Sequence, residues 1–354
     1  MQFVSQTLPS RVVFGAGAAR ERLGDEVRAL GLSRVMLIAA ESELALAREL
    51  VAPFADLIAV EFTGVRPHVP SDVADAARTA AADADVDGLL CIGGGSTTGT
   101  AKIVALTTGL PIVAVPTTYA GSEMTPVWGL TTAARKETGT DLRVLPRTVV
   151  SDPDLTRTLP AELAAASAFN AIAHCVEAFW GPGANPINSL SAAEGIRALR
   201  VGLDGLAAGR SGVVGDEAYD SLLYGTALAG AAFAVAGSGL HHKICHALGG
   251  AFDLPHAQTH TVVLPYVLAF NEGSIGDDAR RISEALGGGR ASVSLRELED
   301  RQLAPKTLEE LGLRADQLDE AIDIVSAKLP IANPREVTRD DIAGILRAAF
   351  AGEF

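Results

Sequence analysis

Cysteine is scarce in this chain: of 354 residues only Cys91, Cys175 and Cys245 are cysteine, far apart and without a C-x-x-C pair. Neither a disulfide framework nor a thiolate zinc site is indicated, and a reducing, cytoplasmic setting is expected. Basic charge is also short, with 29 Lys and Arg against 43 Asp and Glu, a net charge of -14. Such a chain lacks the surface that neutralises nucleic-acid phosphates, so no nucleic-acid partner is expected. Long apolar runs are missing too. The longest weakly polar stretch, "GTALAGAAFAVAGSGL" (225–240), is mostly small residues, falls short of the roughly 20 that span a bilayer, and reads as a buried helix. The opening "MQFVSQTLPSRVVFGAG" has neither the basic nor the apolar region of a signal peptide. No membrane association is expected, and no internal repeat or low-complexity segment interrupts the chain.

What is present is core-forming material. Hydrophobic residues make up 48% and charged residues 20%, the balance of a packed globular protein, and the length suggests about two domains. Apolar runs of strand type occur at "RVMLIA" (34–39), "DLIAVEF" (56–62), "VDGLLCI" (86–92) and "PIVAVP" (111–116). Between them "PSDVADAARTAAADA" (70–84) has helical spacing, with Ser71 as its expected N-cap. Strands alternating with helices predict a Rossmann-like, doubly wound parallel sheet. Past the Pro-bearing stretch near 152–160 the pattern turns helical. The expected division is therefore an α/β domain over 1–155 and an all-α domain over 156–354, with "LGGGRASVSLRELEDRQ" (286–302) a loop leading into a helix.

"GGGSTTGTAK" (93–102) directly follows the strand run "GLLCI" and leads into an apolar helix. Glycines there let backbone N–H groups approach a pyrophosphate at a helix N-terminus, although a tight turn needing positive φ also calls for Gly. Gly94, Gly95, Ser96 and Thr97 are the cofactor candidates of this turn, with Ser96 as a cap or phosphate donor. The earlier "FGAGAAR" (14–20) lacks a third glycine and reads as a turn. A second loop, "PTTYAGSEMTPVWGLT" (116–131), gathers Thr117, Thr118, Ser122 and Thr125 past the next strand, where such sheets bind ligands; a Ser/Thr-rich turn has the same composition. Glu41, just beyond "VMLIAA", stands where a carboxylate takes ribose hydroxyls, unless it is an ordinary surface residue.

Six of the seven histidines lie between 174 and 260. His242 and His246 are four apart and share a helix face, with His241 directed about 100° away. Asn170 and His174 repeat the spacing in "SAFNAIAHCVEAFW", and His256 follows Pro255, a first-turn marker, with His260 one turn on. Three helices are thus expected to bring His174, His242 and His256 to one pocket, for metal binding or for proton handling.

Together these stretches resemble the iron-containing alcohol dehydrogenase superfamily, which shares its fold with dehydroquinate synthase, and within it the maleylacetate reductase branch. The resemblance covers nearly the whole chain and rests on "GGGSTTGTAK", "PTTYAGSEMTPVWG", "GLHHKICHALGG", "LPHAQTH" and "NPREVTRDDI" (333–342). It implies NADH or NADPH bound by Gly94, Gly95, Ser96, Thr117, Thr118 and Ser122, and a site in a cleft between two domains. His174, His242 and His256 match the superfamily's metal-ligand histidines, and His246 its additional pocket histidine. Gly99 stands at the usual loop aspartate and Asn170 at the ligand aspartate, so no catalytic metal is expected. The implied substrate is a small dicarboxylate with a C=C conjugated to a ketone. His242 and His246 are then the catalytic candidates, and Asn170, His174, Lys243 and His256 the substrate-binding ones. Lys243 supplies the cation a dicarboxylate needs, unless it is a solvated surface lysine. The resemblance also implies a homodimer. Rival readings are a metal-dependent alcohol or polyol dehydrogenase, a dehydroquinate synthase-like lyase, and a non-enzymatic nucleotide or metal binder.

Overall fold

The computed structural model describes residues 2–132, 136–210 and 212–354. The chain folds as two units, divided between Leu159 and Pro160, four residues beyond the expected boundary; the residues before Leu8 group with the second.

The first unit is a six-stranded parallel sheet in the order β1-β8-β5-β4-β2-β3. Its strands are β1 (Arg11–Phe14), β2 (Val35–Ile38), β3 (Ile58–Phe62), β4 (Gly88–Gly93), β5 (Ile112–Pro116) and β8 (Thr148–Ser151). A two-stranded antiparallel ribbon, β6 (Val127–Thr131) with β7 (Lys136–Thr140), stands apart from it. The four expected strands form within a few residues of their expected limits. The ribbon and the two strands β1 and β8 add to them: β1 is largely exposed and β8, though buried, has only four residues with a polar one at each end, so neither carries an apolar run long enough to announce a strand.

Side chains alternate across the central strands. Leu90 and Ile92 join Leu37, Val113 and Val150 against α1 (Ala18–Ala29) and α2 (Leu44–Val51). Leu89 and Cys91 join Met36, Ile38, Ile112 and Ala114 against α3 (Ser71–Asp83) and α4 (Gly95–Thr108). Both faces being covered explains why the strands read as unbroken apolar runs. The connection after β2 thus crosses one face and that after β4 the other. These two neighbours diverge at their carboxyl ends, and that divergence opens the ligand crevice of doubly wound sheets. Two capping expectations shift: Pro70, not Ser71, is the N-cap of α3, and Gly94 caps α4 without a side-chain bond, leaving Ser96 inside the first turn.

The second unit is helical, from α5 (Ala161–Ala178), α6 (Pro186–Gly209), α7 (Asp216–Ala236), α8 (Leu240–Phe252) and α9 (His256–Glu272) through α10 (Asp277–Leu286), α11 (Ala291–Gln302), α12 (Leu318–Ser326) and α13 (Arg339–Ala351). The expected helix over 225–240 is the end of α7 plus a turn at Gly237, whose φ is 75°. Glycines let its helices approach closely: a Cβ on Gly195 would lie 2.7 Å from the Cys175 sulfur, and one on Gly225 3.0 Å from the Gly195 carbonyl oxygen. Among the described residues no single helix is long and apolar enough to cross a membrane.

Candidate active site

In the sheet unit, the glycine turn begins at the end of β4. Gly93 has φ 153° and leaves no room for a Cβ, which would fall 2.3 Å from Glu43 Oε2 and 2.5 Å from Thr97 Oγ1. The turn and the second loop lie against each other: the Thr117 N–H donates to the Gly93 carbonyl over 3.2 Å. A Cβ on Gly94 would come within 3.1 Å of Thr118 Cγ2. Gly94, Gly95, Ser96, Thr118 and Ser122 are half-buried, whereas Thr97 and Thr117 are buried.

The buried pair serves a group that sequence reasoning passed over. Thr117 Oγ1 donates to Glu43 Oε1 over 2.5 Å, and Thr97 also hydrogen-bonds the Glu43 carboxylate. Glu41, the expected ribose ligand, stands exposed in the 3-10 turn Glu41–Glu43, so that two residues of offset put Glu43 rather than Glu41 in the crevice.

A second missed residue, Lys102, holds the second loop from below. Fully buried on α4, its Nζ donates to the carbonyls of Ser122, Thr125 and Val127 and to Thr125 Oγ1 at 2.6–3.0 Å. Burial lowers its pKa to about 7, against the pull of the Glu123 charge. Four acceptors on one ammonium define the loop that carries Ser122. The "AK" after the glycine turn was the signal available for it, a lone lysine in an apolar helix.

In the helical unit, α5, α8 and α9 bring the histidines together. The rings of His174 and His242 stack with centroids 5.0 Å apart, His246 and His256 at 6.0 Å, and His260 stands 4.7 Å from His242 and 4.5 Å from His256. His241, expected to point elsewhere, joins the group through a 2.9 Å bond from its Nε2 to His260 Nδ1. Asn170 is buried on the same α5 face as His174. Lys243 is half-buried at the next α8 position.

Glu177, one turn beyond His174 and fully buried, organises this cluster. It accepts the backbone N–H groups of Gly239 (2.9 Å) and His241 (2.7 Å), so it caps the start of α8 from another helix. It also takes His242 Nδ1 at 2.6 Å. A single carboxylate in the otherwise apolar "AFNAIAHCVEAF" was a signal of it, because an isolated buried charge needs a reason. Burial, with the Lys243 charge adding to it, lowers the His242 pKa to about 3, so the ring is neutral and, with its proton on Nδ1, donates a hydrogen bond to Glu177. Nε2 is then a bare lone pair. Among the described residues it has no hydrogen-bond partner, and neither do Asn170 Oδ1, His174 Nδ1 and His260 Nε2, all of them buried.

Two ligand sets can be tested against these atoms. Asn170, His174, His242 and His256 offer imidazoles and an amide oxygen, a neutral set. In chemistry it is the three-histidine kind of divalent site, with Glu177 behind His242 as such ligands usually have, but without the charge of a carboxylate ligand. His241, Cys245 and His260 also lie within 4.8 Å of one another. Burial, however, raises the Cys245 pKa well above its usual value, and His241 is already bonded to His260. That trio is a packed hydrogen-bonded stack rather than a ligand set.

Comparison with known proteins assigns both units. Residues 9–153 match the model of the iron-containing alcohol dehydrogenases, and residues 164–350 that of the Fe-containing alcohol dehydrogenase family, C-terminal. The chain belongs to the iron-containing alcohol dehydrogenase family. Within it, the chain is 45% identical to a maleylacetate reductase of Sphingobium indicum, over 99% of this chain and 98% of that one. An iron-containing alcohol dehydrogenase structure from Corynebacterium glutamicum superposes with a TM-score of 0.95 at 49% identity, covering 100% and 98% of the two chains. The maleylacetate reductase of Agrobacterium tumefaciens follows with a TM-score of 0.93 at 37% identity, over 99% of each. The fold expected from the sequence, a parallel-sheet unit with a helical one, is the family's fold.

Proposed function

We propose that this oxidoreductase reduces the carbon–carbon double bond of maleylacetate with NADH or NADPH, giving 3-oxoadipate. The observation that carries the reading is the buried imidazole cluster of α5, α8 and α9, with Asn170 one turn before His174 where the resemblance puts the family's ligand aspartate, in a chain 45% identical along its length to a maleylacetate reductase. Hydride added to the carbon β to the ketone leaves an enolate, and a proton then completes the new C–H bond. What the site supplies is stabilisation of the charge arising on the ketone oxygen. Glu177 fixes the His242 ring through Nδ1 and aims Nε2 away from itself; the enolate is protonated by a proton from solvent that passes through Nε2, which is bare in the resting site, with the carboxylate stabilising the imidazolium that forms in passing. Lys243 provides the charge for a substrate carboxylate. His246 and His256 complete the pocket wall, and the half-buried Gly94, Gly95, Ser96, Thr118 and Ser122 receive the cofactor.

We further propose that turnover needs no metal ion, because Asn170 brings no charge to hold one. A second reading is favoured by the bare His242 Nε2 with Glu177 behind it: His174, His242 and His256 would hold an ion, which would act as a Lewis acid on the ketone oxygen. NADH oxidation with maleylacetate in the presence of EDTA separates them, with metal content measured on the same protein. Undiminished turnover supports the metal-free reading. Loss of turnover restored by Fe²⁺ or Zn²⁺ supports the second, and turnover with simple alcohols alone removes maleylacetate. A cytoplasmic homodimer completes the proposal; light scattering is expected to give twice the 36.5 kDa of the chain.

A further inference from the structure

Glu43 has no part in the chemistry just described, yet it occupies the place in the sheet unit where a dinucleotide is expected. It follows β2, and the glycine turn follows β4. These are the neighbouring strands whose connections leave to opposite faces, so the Glu43 carboxylate stands in the crevice itself. One oxygen takes the hydroxyl of Thr117 at 2.5 Å. The other lies 2.3 Å from where a Cβ on Gly93 would be, so the space the missing side chain opens is filled by this carboxylate. Thr97, in the first turn of α4, also hydrogen-bonds it. A helix start of this kind is where phosphate oxygens bind, because its first N–H groups have no intrahelical partner.

We propose that Glu43 is a resident anion of the dinucleotide crevice, holding the hydroxyls of Thr97 and Thr117 and the ground over Gly93 that the pyrophosphate takes, so that binding of NADH displaces or neutralises it. The groups facing the carboxylate are Thr97 from α4, Thr117 after β5 and the N–H of Ala40. Among the described residues none of those facing it is a cation, so no local charge offsets the repulsion between this carboxylate and an arriving pyrophosphate. Desolvation accordingly raises its pKa, the sign of a charge held in a poor place for one. The cofactor affinity of the wild-type protein is therefore set below what the glycine turn alone provides. This inference rests on the cofactor reading above, and the experiment keeps the two apart.

NADH binding is measured by fluorescence titration at pH 8 on the full-length wild type, Glu43→Gln and Glu43→Ala, with adenosine as a phosphate-free probe. Gln keeps the shape and still accepts from Thr117. Both variants are expected to bind NADH roughly tenfold more tightly, the effect of one pKa unit of like-charge interaction, and adenosine as the wild type does. Equal or weaker NADH binding by Glu43→Gln overturns the proposal, and weakened adenosine binding would make Glu43 a ribose ligand instead. Failure of all three proteins to bind NADH overturns the cofactor reading itself. A measurement on the wild type needs no variant: NADH affinity should fall as pH rises through the ionisation of Glu43 while adenosine affinity stays level, and a level NADH profile counts against the proposal.

Discussion

The two units treat buried polar groups in opposite ways. Around the cofactor crevice of the sheet unit they are fastened: Lys102 Nζ meets four acceptors, and the Thr97 and Thr117 hydroxyls meet Glu43. In the helical unit the amide of Asn170 and the rings of His174, His242 and His260 each keep a buried atom without a partner. A satisfied group shapes a loop, whereas an unsatisfied one keeps free energy in hand for something that arrives later. The difference teaches where to look for chemistry: binding geometry is built into the sheet unit and reactivity is left open in the helical one.

The strongest way to break that comparison is His242→Ala. The helical unit should lose proton handling, with kcat down by about 10² to 10⁴, while NADH affinity, owed to the sheet unit, stays as it was. Stopped-flow turnover and NADH titration on the same preparation decide it. If both fall together, binding and reactivity are not divided as described. Glu177→Gln should show a smaller kcat loss of about 10- to 100-fold, because Gln accepts from the helix N–H groups but holds no imidazolium.

Acid is the next lever, and its sign follows from burial. His174, His241, His242 and His260 are all held below the ordinary histidine value of 6.5, His241 and His242 to about 3. Below 6.5 the unfolded chain binds protons that the folded one refuses, so stability is complete above that pH and is lost as pH falls from there towards the folded values. Each imidazole contributes up to about 1.4 kcal/mol per pH unit, so the four together approach about 5.5 kcal/mol per unit once the pH is well below 6.5. Urea melts between pH 7 and 5, followed by exchange of backbone amides, should show α5, α8 and α9 opening first. Equal loss in both units would mean that the cluster is not held neutral.

How much of this was legible in the sequence follows the same divide. The parallel sheet was, because strands covered on both faces read as plain apolar runs. The histidine helices were, because spacing of three and four residues fixes a face. Glu43 was not: a two-residue shift between Glu41 and Glu43 turns on one 3-10 turn, which carries no periodic signature. Glu177 and Lys102 were visible as lone charges in apolar helices, but their partners lie on Gly239, His241 and His242 in one case and on the 122–127 loop in the other. Spacing along one helix says nothing of a partner on another. Ribbon strands β6 and β7 were hidden by a run of hydroxyls that reads as loop.

Lys102→Met probes the fastened side. Four acceptors lose a common, fully buried donor, and the cost expected for leaving buried acceptors unmet is about 1–3 kcal/mol for each one that water does not reach. NADH affinity should fall with it, because Ser122 loses its anchor. A urea midpoint close to that of the wild type, or an unchanged NADH affinity, would show that the loop holds its shape without the lysine.

The smallest effect expected tests whether close helix packing, rather than propensity, governs the helical unit. A methyl at Gly225 would meet Leu199 Cγ at 2.7 Å and the Gly195 carbonyl oxygen at 3.0 Å, and a carbonyl in the middle of α6 has nowhere to retreat. Overpacking of this kind costs about 1–3 kcal/mol, while alanine's helix propensity returns up to about 1 kcal/mol, so Gly225→Ala should be net destabilising. Gly344 supplies the opposite case. It lies exposed in α13 with nothing within 4 Å of an added Cβ, so Gly344→Ala has only the propensity gain and should raise the melting temperature. Opposite signs for one chemical change, read by calorimetry at the same pH, place the difference in the crossing of α6 and α7. A gain at both positions would mean that this crossing can widen, and that the spacing of α5, α6 and α7 is not fixed by their glycines.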